Sequence, residues 1–352
     1  MSERNNSNNE EHILCKDIKS LSTFKDKIIF RKHTKRINHI DLQKYLLMTS
    51  GDDDLIIIID LFKLKYVLQY YDIINGTSFC RFLEPIMSTK IIYYGSKSYK
   101  LYIYEYSKKS ILLIVNLLRE NLYHLEYNNK SNLFITSQES NCVIWKLNEN
   151  LARANYKFKN SYYAIIIDDK RQIISASRKK IDDKVYSYLS VYNYDNNRDL
   201  TIIKDRDVDL MFDYDIKEMN YYKNPDNYFL ITMSDFFIDF IKLDDDTNSF
   251  HLSLSKKKDL RFSYFETSFV KELIIGYNNG IVEILNPFWD KEQIKDLIDE
   301  KYNQRDNINK LLKDISRNEP KHEENVVQIK LSDYYPFYVS ISNEMIIYQL
   351  KE

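Results

Sequence analysis

Tyr45-Leu-Leu-Met-Thr-Ser-Gly-Asp-Asp-Asp-Leu-Ile-Ile-Ile-Ile-Asp60 is the stretch whose reading decides the fold. Its two halves are aliphatic and β-branched, residue types that fit a pleated, packed surface. Between them Gly51–Asp54 is turn chemistry, because glycine and aspartate tolerate the backbone angles of a tight reversal. The segment therefore reads as a β-hairpin with both strands apolar.

The same unit recurs along the chain. Lys90-Ile-Ile-Tyr-Tyr-Gly-Ser96 leads to Lys100-Leu-Tyr-Ile-Tyr-Glu105, and Asn132–Leu147 repeats the pattern with Trp145 in its second strand. Weaker copies are Gln172–Ser177 with Tyr188–Asn193, Tyr228–Phe240, Glu272–Leu285 and Phe337–Leu350. From Ser50 through Gly95 and Ser137 to Ala176 the steps are 45, 42 and 39 residues. That is the roughly 40–45-residue period of a WD repeat, four strands to a propeller blade. Later steps to Met233, Gly276 and Ser340 lengthen to 57, 43 and 64 residues, which implies insertions. The expected fold is all-β, a seven-bladed WD-repeat propeller over residues 13–352 behind an Asn-rich disordered tail, 1–12. Ile18–Phe30 is expected to supply the outer strand of the last blade. An insertion at about 288–320 reads as helical. There Ile294, Leu297 and Ile298, then Ile308, Leu311, Leu312 and Ile315, follow helical spacing up to Pro320. It lies on the propeller rim or docks a partner.

Composition excludes several classes. A net charge of −1 over 352 residues argues against a broad nucleic-acid footprint. The longest apolar run, Ile111–Leu118, contains Asn116 and is too short to cross a membrane. No signal segment is expected at the start of the chain. Cys15, Cys80 and Cys142 have no metal-ligand spacing and read as free thiols. The five glycines form neither a dinucleotide fingerprint nor a phosphate-cradling loop. Asp52–Asp54 reads as a turn with capping carboxylates, since a hard cation needs more oxygens than it offers. His33 reads as a hydrogen-bonding residue leading into a blade, and His322-Glu-Glu lacks the second histidine of a metalloprotease helix. No cofactor, metal or catalysis is expected. Thirty tyrosines with abundant Ile, Asn and Lys match A+T-rich codon usage, which would also thin out the Gly, Trp and Arg that make WD repeats conspicuous.

Phe30-Arg-Lys-His-Thr-Lys-Arg-Ile-Asn-His-Ile-Asp41 followed by Met48–Asp60 resembles the opening blade of one WD-repeat subunit. That subunit is shared by COMPASS-type histone methyltransferases and by RNA polymerase II termination and phosphatase complexes. Phe79–Phe82 with Ile91–Ser96 resembles its second blade, and Trp145-Lys-Leu147 stands where its third blade ends in Trp-Asp-Leu. The resemblance is readable from about residue 14 to residue 194; beyond that only the blade rhythm persists. Gln69–Asp72 replaces a basic-Tyr-Gly stretch of the family, and a Gly-His before the third blade is missing.

The resemblance implies a nuclear, non-catalytic scaffold, with a methyltransferase subunit and a phosphorylated polymerase tail peptide as partners. It implies no direct nucleic acid contact and no membrane. The alternative is a propeller in another assembly, such as ribosome biogenesis or a vesicle coat, with a cytoplasmic location. The basic cluster Arg31, Lys35 and Arg36 is either a solvated link or a site for a phosphorylated or acidic peptide, since paired cations recognise phosphate. With Tyr70, Tyr71 and Arg119 it forms the set of partner-binding candidates.

Overall fold

The computed structural model describes residues 33–61, 65–72, 75–83, 89–148, 151–196, 200–224, 227–242, 251–255, 261–267, 273–285, 316–318, 322, 326–331, 337–341 and 345–349. These form six antiparallel four-stranded sheets and one of three strands, each a meander in chain order.

The first sheet holds β1 (Ile37–Gln43), β2 (Leu46–Gly51), β3 (Leu55–Asp60) and β4 (Lys65–Tyr71). The second holds β5 (Phe79–Phe82), β6 (Lys90–Gly95), β7 (Lys100–Glu105) and β8 (Ser110–Asn116). In the third are β9 (Leu122–Asn128), β10 (Leu133–Gln138), β11 (Asn141–Asn148) and β12 (Leu151–Lys159). The fourth comprises β13 (Ser161–Ile167), β14 (Gln172–Ile181), β15 (Lys184–Asp195) and β16 (Thr201–Phe212). The fifth comprises β17 (Glu218–Asn224), β18 (Asn227–Met233), β19 (Phe237–Lys242) and β20 (His251–Ser255). The sixth has β21 (Phe262–Thr267), β22 (Leu273–Tyr277), β23 (Val282–Leu285) and β24 (Ser316–Asn318), and the last has β25 (Gln328–Leu331), β26 (Phe337–Ile341) and β27 (Met345–Gln349).

Every repeated hairpin of the sequence falls on the second and third strands of a sheet. Their composition has a simple cause. In β2 and β3 nearly every residue is buried, Leu55–Asp60 without exception. A strand covered on both faces has no reason to alternate polar with apolar residues, so it reads as a continuous aliphatic run. Outer strands lose one neighbour and change character: β12, Leu-Ala-Arg-Ala-Asn-Tyr-Lys-Phe-Lys, is largely exposed.

The first strands line the axis and touch in the cyclic order β1, β5, β9, β13, β17, β21, β25 and back to β1. Apolar packing is accordingly not one core but a set of wedges between sheets. Met48, Ile56 and Ile58 of the first sheet meet Cys80, Ile91, Tyr93 and Tyr102 of the second. Phe134 of the third packs with Ile92, Leu101 and Val115 of the second. Ring closure follows the same rule, because Val339 and Ile341 of β26 pack onto Ile37, Ile40, Leu47 and Ile57. The architecture is an all-β propeller.

Two expectations change. Seven four-stranded blades were expected; six are complete and the last sheet has three strands among the described residues. Its expected fourth strand, Ile18–Phe30, lies outside the described residues, as does the tail 1–12. The helical insertion at about 288–320 also lies outside them, except for Ser316–Asn318, which is no helix but the outer strand β24, paired with Glu283–Leu285. These three residues follow the last helically spaced position, Ile315, and there the open edge of β23 offers them ladder hydrogen bonds.

One glycine sets how closely the sixth and last sheets approach. A β-carbon on Gly276 would lie 2.5 Å from Val326 Cγ1 and 2.7 Å from Val326 Cβ. Gly276→Ala is expected to cost about 1–3 kcal/mol by overpacking, read as a lower urea midpoint with an unchanged slope.

Candidate interaction surface

In an antiparallel meander the start of strand one, the turn between strands two and three and the end of strand four lie at the same edge of the blade. The links between blades and the 2–3 turns therefore share one face of the ring. Gly51–Asp54, Lys35, Arg36 and Arg119 all belong to that face.

The link into the first blade is fixed by His33. Its Nδ1 is 2.8 Å from Asp53 Oδ1 and its Nε2 is 2.8 Å from Thr49 Oγ1. Asp53 also accepts the Thr34 N–H at 2.7 Å. Burial works to raise the Asp53 pKa, but hydrogen bonds from His33, Thr34 and Leu55 outweigh it and hold the carboxyl below its usual range. Gly51 makes the approach possible, since a β-carbon there would sit 2.7 Å from His33 Nδ1 and 2.8 Å from the Arg36 carbonyl oxygen. Asp52 accepts from Asn38 and Asp54 pairs with Lys97, so each acid of the run has its own protein partner. Among the described residues no group of three His, Cys, Asp or Glu side chains could hold a metal ion.

A stability prediction follows from Asp53. A depressed folded pKa contributes stability that is present above the unfolded value and is lost as pH falls through the folded one. Asp53→Asn is therefore expected to lower the melting temperature at neutral pH, by about 1–3 kcal/mol of stability. The gap from wild type closes as the pH is taken below the ordinary aspartate range, and melts across that range check it.

His322 repeats the device in the last sheet, with Nε2 2.7 Å from Ser340 Oγ and the residue 1% exposed. The sequence reading missed this role. The signal was a histidine shortly before a first strand, with a hydroxyl on the second strand, as for His33 and Thr49.

The candidate set divides. Lys35 and Arg36 are exposed beside His33, and Arg119 is exposed in the link between β8 and β9. Tyr71, at the end of β4, is 54% exposed. Tyr70 is not a free contact residue. Its ring stacks on Tyr104 at 4.5 Å and its hydroxyl meets that of Tyr93, so it packs the first blade on the second. Arg31 lies outside the described residues. The surviving four share a face, but the link carrying Asp72 and Asn75 lies between the Lys35–Arg36 pair and Arg119, so they do not form one patch. Cys80 and Cys142 are unpaired and fully buried, and burial pushes their thiols up to about 12 and about 11. Cys15 lies outside the described residues.

The strongest polar construction was not legible in the repeats. A cavity of about 280 Å³ lies on the axis, lined by Asp41, Arg81, Glu126, Glu218, Glu266 and Lys330 among others, all on first strands. Side-chain bonds join each first strand to the next around the whole ring. Asp41 receives Arg81 at 3.0 Å and the Phe82 N–H at 2.8 Å. Arg81 Nε donates to the Leu125 carbonyl at 3.1 Å, and Glu126 accepts the Ile166 N–H at 3.1 Å. Tyr163 donates to Glu218 at 2.5 Å, Asn220 to Glu266 at 2.9 Å, and Lys330 to Glu266 at 2.7 Å. Gln328 then accepts the Ile40 N–H at 2.6 Å and closes the circle. First strands are too far apart at the axis to share a ladder, so long polar side chains span the gaps. Arg81 and Lys330 are each matched by a carboxylate, Asp41 and Glu266, which is what burying a charge requires.

Environment tunes these groups. Burial drives the Tyr264 hydroxyl up to about 12 and holds His39 well below its ordinary value, with Arg81 and Lys330 adding to the second effect. Burial also raises Glu218, only partly offset by His124, Tyr163 and Lys330. A carboxyl with a raised folded pKa adds stability at low pH that is lost as pH rises through that value. Glu218→Gln keeps an acceptor for Tyr163 and removes the charge. It is expected to melt higher than wild type, with the gap widening as the pH rises through and above the ordinary glutamate range. A fixed gap across that range would show that Glu218 does not titrate there.

Among the described residues no helix is long and apolar enough to cross a membrane. No protein-family model matches the chain. No curated protein matches it in sequence either. Among solved structures it is similar to the crystal structure of the Cps50 (Swd1) β-propeller domain from Myceliophteria thermophila, with a TM-score of 0.63 over 93% of this chain and 100% of that one, at 9% identity. The likeness is one of fold: with its closed circle of first strands, the chain is a β-propeller similar in architecture to that domain.

Proposed function

We propose that the protein is a non-catalytic scaffold subunit of a nuclear complex, either a COMPASS-like histone methyltransferase or a transcription-termination assembly. One observation carries the scaffold part. Side-chain hydrogen bonds tie the seven first strands into a rigid ring, while cations and an aromatic ring, Lys35, Arg36, Arg119 and Tyr71, stand exposed on the face of the inter-blade links. Exposed Arg and Tyr on a rigid frame are the residue types that anchor protein interfaces. Assignment to the complex draws on the sequence resemblance of residues 14–194 alone; the fold likeness to the Cps50 (Swd1) propeller bears on the scaffold part.

Affinity purification of the tagged protein followed by mass spectrometry tests the reading. A methyltransferase subunit or a polyadenylation factor is the expected co-purifying partner, with the tagged protein in the nucleus. Recovery of ribosome-assembly factors or coat proteins instead, from the cytoplasm, would move the scaffold to the alternative assembly. The paired cations give a sharper arm. Reversing Lys35 and Arg36 to Glu is expected to weaken binding of a doubly phosphorylated polymerase-tail peptide about tenfold, as loss of charge-assisted contacts does. Binding of that peptide unchanged by the reversal would exclude this link as its site.

A further inference from the structure

A second cavity, of about 400 Å³, opens on the side of the ring between the second and third blades. Leu117 and Leu118 from the link after β8, Val143 and Trp145 of β11, and Ala154 and Asn155 of β12 wall it. The Trp145 indole is held in place, stacked on Phe134 with its N–H donated to Thr136 Oγ1 at 3.0 Å. Opposite it β12 bulges. Ile144 pairs with Tyr156 and Trp145 with Ala154, which leaves Asn155 out of register. Asn155 Oδ1 is buried at this wall without a hydrogen-bond partner. A buried acceptor left unpaired carries its full desolvation cost until a donor arrives.

The surroundings say what kind of donor fits. β8, the free edge of the second blade, has no charged residue in Ser-Ile-Leu-Leu-Ile-Val-Asn, and Ile111, Leu112 and Ile114 are 43%, 42% and 50% exposed. Natural sheet edges are usually guarded by charge, and an unguarded one invites an extended chain. The one charged residue among those lining the cleft is basic, Lys157, and Arg119 directly follows the lining residue Leu118; both are exposed. Glu120, the nearby acid, is occupied by Ser140.

We propose that this cleft docks an extended acidic segment of a partner protein. One apolar side chain seats against Trp145, a backbone N–H reaches Asn155 Oδ1, and flanking carboxylates face Arg119 and Lys157. The proposal names the partner chemistry of the scaffold and rests on that reading.

The test uses fluorescence anisotropy with the full-length protein and a fluorescein-labelled peptide, Glu-Asp-Glu-Phe-Glu-Asp-Glu. Two further probes carry Ser in place of Phe, or Lys in place of every acid. The acidic Phe peptide is expected to bind, and the Ser and Lys peptides to bind at least tenfold more weakly. Lys157→Glu and Ala154→Glu change exposed positions, and each is expected to weaken the acidic Phe peptide at least tenfold with an unchanged urea midpoint. Lys184→Glu, exposed on β15, is expected to have no effect. Equal binding of the three peptides, no binding of any, or affinity indifferent to Lys157 and Ala154 overturns the proposal. Affinity purification separates the two levels. If wild type retains partners and Ala154→Glu loses none, the cleft fails while the scaffold stands. If wild type retains none, the scaffold itself fails.

Discussion

Replacing Arg81 with Ala lowers stability by about 3–5 kcal/mol, the cost of breaking a buried ion pair from one side. The side chain holds three consecutive first strands together: it sits on β5, pairs with Asp41 of β1 and donates to the Leu125 carbonyl of β9. The two charged groups are only 16% and 14% exposed, so little solvent stands ready to replace the lost partner. Asp41 keeps the Phe82 N–H, which limits the damage without cancelling it. Urea denaturation reads the effect. A double-mutant cycle with Asp41→Ala isolates the pair, with a coupling of about 0.5–3 kcal/mol expected for residues in contact. Lys180 is the control. Its bridge to Asp183 joins groups 66% and 93% exposed, where water screens the charges, so Lys180→Ala should change stability by less than about 1 kcal/mol. Equal losses in the two variants would mean that the axial network carries no special share of the ring's stability.

Phe134→Ala is the second large effect, about 3–5 kcal/mol, the usual result of emptying a buried phenyl site. Phe134 has no exposed surface and lies in the wedge between the second and third blades, against Leu83, Ile92, Ile103 and Leu125. Its ring is 5.7 Å from that of Trp145 and within 5° of parallel, so truncation also unseats the indole. β10 pairs with β9 along its whole length and with β11 from Leu133 to Ser137, and collapse around the lost ring would have to distort those ladders. The urea midpoint checks it. A loss below about 1 kcal/mol would show that the wedge repacks freely, against the close packing expected of such interiors.

The two variants probe features of very different legibility. Phe134 lies inside Asn132–Leu147, a repeat unit plain in the sequence, and its burial follows from its place in the second strand of a blade. Arg81 gave no such signal. It sits in Phe79-Cys-Arg-Phe82, a four-residue strand outside the repeated hairpin, and its two partners lie 40 and 44 residues away. Tyr70 shows the opposite error. An aromatic residue near a predicted link suggested a contact residue, while its stacking on Tyr104 makes it part of a wedge. Local sequence does not say which face of an outer strand a neighbouring blade will cover. His33 was read correctly; His322 was missed although its partner stands in the same relation, a hydroxyl on the second strand of its own sheet.

The residues by themselves determined the repeating unit and its all-β character. A strand covered on both sides must be a continuous apolar run, and that run is visible wherever it occurs. The period then called for units stacked around a ring, because no single hairpin can bury two faces alone. Tertiary structure alone decided how the ring closes: with a last sheet of three strands among the described residues, Val339 and Ile341 on the first blade, and a circle of polar side chains around the axis. The reason is distance along the chain. Pairings such as Gln328 with Ile40 join residues 288 apart, and composition or spacing carries no trace of contacts that exist only once the seven sheets have come round to meet.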